Sequence, residues 1–141
     1  MTTNWFFWAL LSAVFAGLTA ILAKVGIEGV NSNLATAIRT TVVLVFAWLV
    51  ALPALRETQL SELSRRTWLF LGLSGIATGL SWLCYYRALQ LGQASQVAPV
   101  DKLSVVIAIG LAVIFLGERL NWREGLGVAL IVGGVALLAF K

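Results

Sequence analysis

Five long apolar runs dominate this chain, and charge interrupts them so rarely that they fix its class before any motif is read. The first, Trp5 to Ala23, carries no charge until Lys24. Only 11% of the residues are charged, where a soluble domain carries about 25%. Backbone polar groups in hydrocarbon must be satisfied within the segment, which favours helices. The sequence therefore predicts an all-α, polytopic integral membrane protein with five transmembrane helices in one domain, residues 1–141. The expected spans are 5–23, 34–53, 68–91, 95–116 and 122–140. Span one is expected to be retained rather than cleaved as a signal peptide, because it lacks a basic leader and four spans follow.

Local signals mark the span ends. Asn33 can cap span two, and Pro53 ends it. The stretch from Arg56 to Arg66 is the most polar connection and lies outside the core. Gly92 can stop span three, and Ser95 can cap span four. Pro99 then falls in the first turn, where a missing N–H costs little, or just beyond it, where it kinks the helix. Gly117-Glu118-Arg119 ends span four, and Asn121 with Glu124 has the spacing of a capping box for span five. Trp5, Trp68 and Trp122 mark interfaces.

Two spans are too short without their charges. From Leu103 to Gly117 there are 15 charge-free residues, and from Thr40 to Leu55 there are 16. About 20 are needed to cross a bilayer, so Asp101, Lys102 and Arg39 are drawn into the hydrocarbon. Charges there are expensive and usually functional. The alternative is that Lys102 snorkels to the surface and Asp101 merely caps a helix. Arg39 and Asp101 enter from the same side, and at 1.5 Å per residue both lie roughly 8–10 Å deep. Lys24, Glu28 and Arg87 collect at that side as well. A polar cavity opening there is the preferred reading; a set of unrelated snorkelling residues is the other.

Span three adds a hydroxyl stripe. Ser74, Thr78, Ser81 and Tyr85 recur at intervals of 4, 3 and 4 and share one helical face. These side chains can line a polar path, or they can back-bond to their own helix. Small residues also recur at helical spacing, among them Gly72, Gly75 and Gly79 in span three and Gly125, Ala129 and Gly133 in span five. Such stripes are packing seams that allow close helix approach.

Other chemistry is thin. There is no His, and Cys84 is the single cysteine. A Cys/His metal site and a His-based triad are excluded, and Cys84 is expected as a small core residue. No nucleophile–base pairing or cofactor motif is visible, so no enzymatic activity is expected. The net charge of +4 resides at span ends rather than in a basic run with interleaved aromatics, which argues against nucleic acid. Five spans put the termini on opposite sides. Arg56, Arg65, Arg66, Arg119 and Arg123 fall on one side; Lys24, Arg87 and Lys141, with the semi-buried Arg39 and Lys102, fall on the other. Five against five is a weak positive-inside signal, compatible with insertion both ways up or with one orientation by a small margin.

In its order of short motifs the chain resembles the EamA-type members of the drug/metabolite transporter superfamily. The resemblance rests on Ser12-Ala13-Val14-Phe15-Ala16-Gly17, Ala23-Lys24-Val25-Gly26-Ile27 and Asn33-Leu34-Ala35-Thr36-Ala37-Ile38-Arg39. It continues through Tyr86-Arg87-Ala88-Leu89, Val97-Ala98-Pro99-Val100, Leu116-Gly117-Glu118-Arg119-Leu120 and the glycine-flanked run from Gly127 to Val135. Most such proteins hold two of these units in ten helices related by an inverted repeat. This chain supplies one, which implies that two copies assemble, here expected as an antiparallel homodimer with Gly125, Ala129 and Gly133 at the seam. The related small multidrug transporters use an essential Glu in span one. No acid occurs between Trp5 and Ala23, so that proton/cation exchange is not carried over.

The resemblance implies a secondary transporter or exporter working by alternating access in the inner (plasma) membrane, without a cofactor or metal. Its expected substrate-binding residues are Arg39, Asp101, Lys102, Ser74, Thr78, Ser81 and Tyr85. Lys24, Glu28, Arg87 and Pro99 are expected at a gate or vestibule. Arg39 and Lys102 against Asp101 leave the semi-buried set net positive, which favours a small anionic or zwitterionic metabolite over a hydrophobic cation. The alternatives are a flippase for a phosphate-linked lipid and a non-transporting membrane assembly subunit.

Overall fold

The computed structural model describes residues 5–56, 60 and 63–140. Helices α1 (Trp5–Gly26), α2 (Ser32–Ala51), α3 (Arg65–Leu91), α4 (Ala94–Asp101), α5 (Leu103–Leu116) and α6 (Trp122–Ala139) follow in order, with a short 3-10 turn at Ala54–Arg56 and no strand among the described residues. Counting Ala94–Leu116 as one interrupted segment, five helices are long and apolar enough to cross a bilayer. Their apolar surface faces outward: Trp5 is 77% exposed, Leu137 81% and Phe140 89%. A soluble protein rarely shows such contiguous apolar surface, whereas lipid tails solvate it. The chain is thus an all-helical, multi-pass membrane protein.

The helix ends follow local chemistry, with some corrections to the sequence reading. Asn31, rather than Asn33, caps α2: its side-chain oxygen accepts from the Asn33 N–H at 2.9 Å. Helix α3 begins three residues before Trp68, because the Ser64 hydroxyl accepts from the Thr67 N–H at 3.1 Å. Ser95 does not cap α4; the cap position is Gln93, and Ser95 is already helical. At α6 the Glu124 carboxylate accepts from the Asn121 N–H at 2.7 Å, the capping box its spacing predicts. Gly117 closes α5 with φ +68°, and the Glu118 N–H reaches back to the Ala112 carbonyl at 3.3 Å. That is the left-handed helix stop glycine adopts without strain.

The described helices form two compact units. One comprises Val25–Gln90; the other joins the segment ending at Lys24 with everything from Leu91 onward. Within Val25–Gln90, Ile27, Ser32, Thr36, Tyr86 and Leu89 are buried, Leu89 completely. There the Gln90 amide donates to the Val30 carbonyl at 2.5 Å, tying the end of α3 to the turn that precedes α2. In the other unit α6 packs against α4 and α5. Two long-range bonds help hold that unit: the Lys24 ammonium donates to the Gly92 carbonyl at 2.8 Å, and the Gln96 amide to the Ala139 carbonyl at 3.5 Å. Cys84 is exposed on α3 rather than in a core, since most of the surface of so few helices faces lipid.

Candidate functional site

The arginine of span two has the most distinctive setting. Arg39 is the eighth residue of α2, so it lies about 10 Å along the helix from Ser32. It is half-buried. Its guanidinium carbon sits 4.2 Å from the centroid of the Trp82 ring and 5.7 Å from that of Tyr86. Both distances lie inside the range of cation–π attraction. Trp82 and Tyr86 are four residues apart on α3, hence on one helical face. No carboxylate among the described residues pairs with Arg39. Its neighbours on α2 are occupied: the Thr36 hydroxyl donates to the Ser32 carbonyl at 2.8 Å and the Thr40 hydroxyl to the Thr36 carbonyl at 2.7 Å.

The hydroxyl stripe stands on α3 roughly a quarter turn from this aromatic pair, at 100° per residue. Ser74, Thr78 and Ser81 are exposed, and Tyr85 is half-buried with its ring 6.5 Å from that of Tyr86. The Thr78 hydroxyl donates to the Ser74 carbonyl at 2.9 Å, the back-bond that satisfies a hydroxyl inside a membrane helix. Arg39 therefore rests on the aromatic face of α3. Arg87 is exposed and donates to the Gln90 side chain at 3.3 Å. Glu28 is exposed in the turn after α1, where Gly29 takes φ +71°.

In the other unit the span-four charges meet at a helix break. Pro99 is the sixth residue of α4, well inside the helix, so it leaves the Ser95 carbonyl without its usual donor. The chain tightens at once: the Lys102 N–H bonds the Pro99 carbonyl and the Val105 N–H bonds the Lys102 carbonyl, both at 3.0 Å and both three residues back. At that break the Lys102 ammonium pairs with Asp101 at 3.2 Å, the two side chains being 56% and 33% exposed. Lys24 is engaged by the Gly92 carbonyl. Gly125, Ala129 and Gly133 are exposed on α6, and an open groove of about 800 Å³ runs past Ala129, Gly133 and Gly134 to Phe140. Lys141 lies outside the described residues. Among the described residues no cluster of His, Cys, Asp and Glu has the makings of a metal site.

Sequence reasoning missed Trp82 and Tyr86. A signal for them exists: Arg39 lies seven residues beyond the start of α2, and the two rings lie five and nine residues before the end of α3. In an antiparallel helix pair those depths coincide.

Five helices long and apolar enough to cross a bilayer, charged residues within them and a helix interrupted after Pro99 are features of membrane transporters. The chain belongs to the EamA-like transporter family, whose pattern it matches over residues 3–140. It is 56% identical over 140 residues to an "uncharacterized transporter in cobO 3'region" of Sinorhizobium sp, with 99% of each chain covered. It is 30% identical over 132 residues to "uncharacterized protein MJ1333.1" of Methanocaldococcus jannaschii, covering 94% of this chain and 93% of the other. A third relative, "uncharacterized transporter YxxF" of Bacillus subtilis, is 27% identical over 131 residues, covering 92% of this chain and 40% of that protein. No solved structure matches the chain.

Proposed function

We propose that this chain carries a small anionic or zwitterionic metabolite, such as an amino acid or organic acid, across the plasma membrane by alternating access. The observation that supports the reading is Arg39: a permanent positive charge seven residues into an apolar helix, on an aromatic face and with no carboxylate partner among the described residues. An unmatched buried cation is costly, and a substrate oxyanion is the group that offsets it. Asp101 neutralises Lys102, so the charge count leaves one base to be met from outside. The working unit is an antiparallel homodimer with α6 at the seam. Two considerations support it: the near-balanced charges at the span ends, and a Bacillus relative of which this chain covers only 40%, leaving room there for more than one such unit.

The test is uptake by proteoliposomes offered labelled glutamate, malate, alanine and tetraphenylphosphonium. Accumulation of an anion or zwitterion is expected. Accumulation of tetraphenylphosphonium alone refutes the charge assignment. Single cysteines near either end, in a Cys84→Ala background, report orientation. Labelling from both sides of the membrane is expected, and labelling from one side only refutes the antiparallel dimer.

A further inference from the structure

We propose that Trp82 is the positioning residue of an oxyanion site at Arg39, and that this site takes a carboxylate or phosphate edge-on, in the plane of the guanidinium. The proposal rests on reading Arg39 as the substrate anchor. A guanidinium offers two faces and one edge, and all five of its N–H groups lie at the edge. The guanidinium carbon lies over the Trp82 ring, 4.2 Å from its centroid. Tyr86, 5.7 Å from the same carbon, is 4% exposed and so fixed in place. Aromatic rings bring no oxyanion to the guanidinium, and its edge is the part that matches two oxygens of a carboxylate or phosphate.

The ring also keeps the side chain where it is. An arginine this far inside a span ordinarily snorkels toward the headgroups, a displacement that exposes the charge to water and withdraws it from any central site. The indole face attracts the cation most strongly of the aromatic side chains. It does so without supplying the oxygens that would compete with a substrate. A carboxylate in place of Trp82 would hold Arg39 equally well but would occupy its edge. Trp82 thus acts through Arg39 rather than on the ligand, and aromatic character, not bulk, is what the position requires.

The oxyanion has two possible sources, a soluble metabolite or a lipid headgroup, and one experiment separates them. The full chain is placed in phosphatidylcholine nanodiscs, and saturable binding of labelled glutamate, malate and inorganic phosphate is measured for wild type, Arg39→Gln, Trp82→Phe and Trp82→Leu. Binding of at least one probe to wild type and its loss in Arg39→Gln are expected. The dissociation constant should rise about threefold in Trp82→Phe and roughly tenfold in Trp82→Leu, following ring strength. A role in packing alone would leave Phe and Leu alike. Displacement of the probe by added phosphatidylglycerol marks the headgroup as a ligand of the same edge; persistence of binding marks a soluble anion. Wild-type affinity in Trp82→Leu overturns the proposal and leaves the reading of Arg39 intact. Should Trp82→Leu fail to fold, an unchanged constant in Trp82→Phe overturns it equally. Binding that survives Arg39→Gln, or no binding of any probe to wild type, overturns both.

Discussion

Removing the carboxylate of Asp101 tests whether the span-four ion pair lies in hydrocarbon. Asp101 ends α4 and Lys102 separates it from α5, about 10 Å along the segment from Ala94. At the observed 3.2 Å a unit pair attracts by ~1.3 kcal/mol in water and ~5 kcal/mol at an effective dielectric of 20. With Lys102 56% exposed and Asp101 33% exposed, the expected coupling is near the lower bound, ~1 kcal/mol, where water reaches the pair, and rises toward the upper bound where lipid covers it. Asp101→Asn alone also strands an ammonium in the span, whereas Asp101→Asn with Lys102→Gln strands nothing. The single change should therefore destabilise the protein more than the double one. Equilibrium unfolding in bicelles of wild type, both single variants and the double variant closes the cycle. A coupling within error of zero, with Asp101→Asn as stable as wild type, rules out an ion pair held in hydrocarbon. It would mean that water and not Asp101 solvates Lys102.

Two further predictions concern the helix ends. Gly117→Ala should lower stability by about 1 kcal/mol, read as a lower melting temperature, because φ +68° is strained for any residue with a Cβ; a Cβ there meets no neighbouring atom, so strain is the sole cause. Glu124→Ala opens the capping box at α6 and should cost about 1 kcal/mol by the same measurement, while leaving ligand affinity at Arg39 unchanged.

What the sequence made legible was governed by rules local along the chain. The spans follow from runs without charge, the α6 cap from Asn121 and Glu124, and the end of α5 from Gly117. Errors of a few residues arose where several capping side chains compete. Asn31 and Asn33 flank the same helix start, and only the first is placed to accept from the other's N–H. Ser95 had the right chemistry for a cap, but the helix was already under way. Pro99 was visible, yet its depth in α4 depended on that start. The setting of Arg39 lay beyond local rules altogether. The shortness of its charge-free run points the charge toward the membrane, but Trp82 and Tyr86 are more than forty positions away, and their meeting with Arg39 depends on how α2 and α3 pair. The hydroxyl stripe of Ser74, Thr78 and Ser81 drew attention by its spacing, while the neighbouring face of the same helix holds the contact with the arginine.

Transport by Arg39→Ala in proteoliposomes separates a substrate anchor from a helix anchor. Wild type and variant are reconstituted at equal density, their folding is checked by helical content and monodispersity, and initial rates are compared for the anion or zwitterion that wild type accumulates best. The claim that Arg39 is the anchor for an anionic substrate predicts that uptake falls to the level of empty liposomes while the protein remains folded in the membrane. Uptake by Arg39→Ala at the wild-type rate would contradict it and would reduce the arginine to a helix anchor held by Trp82.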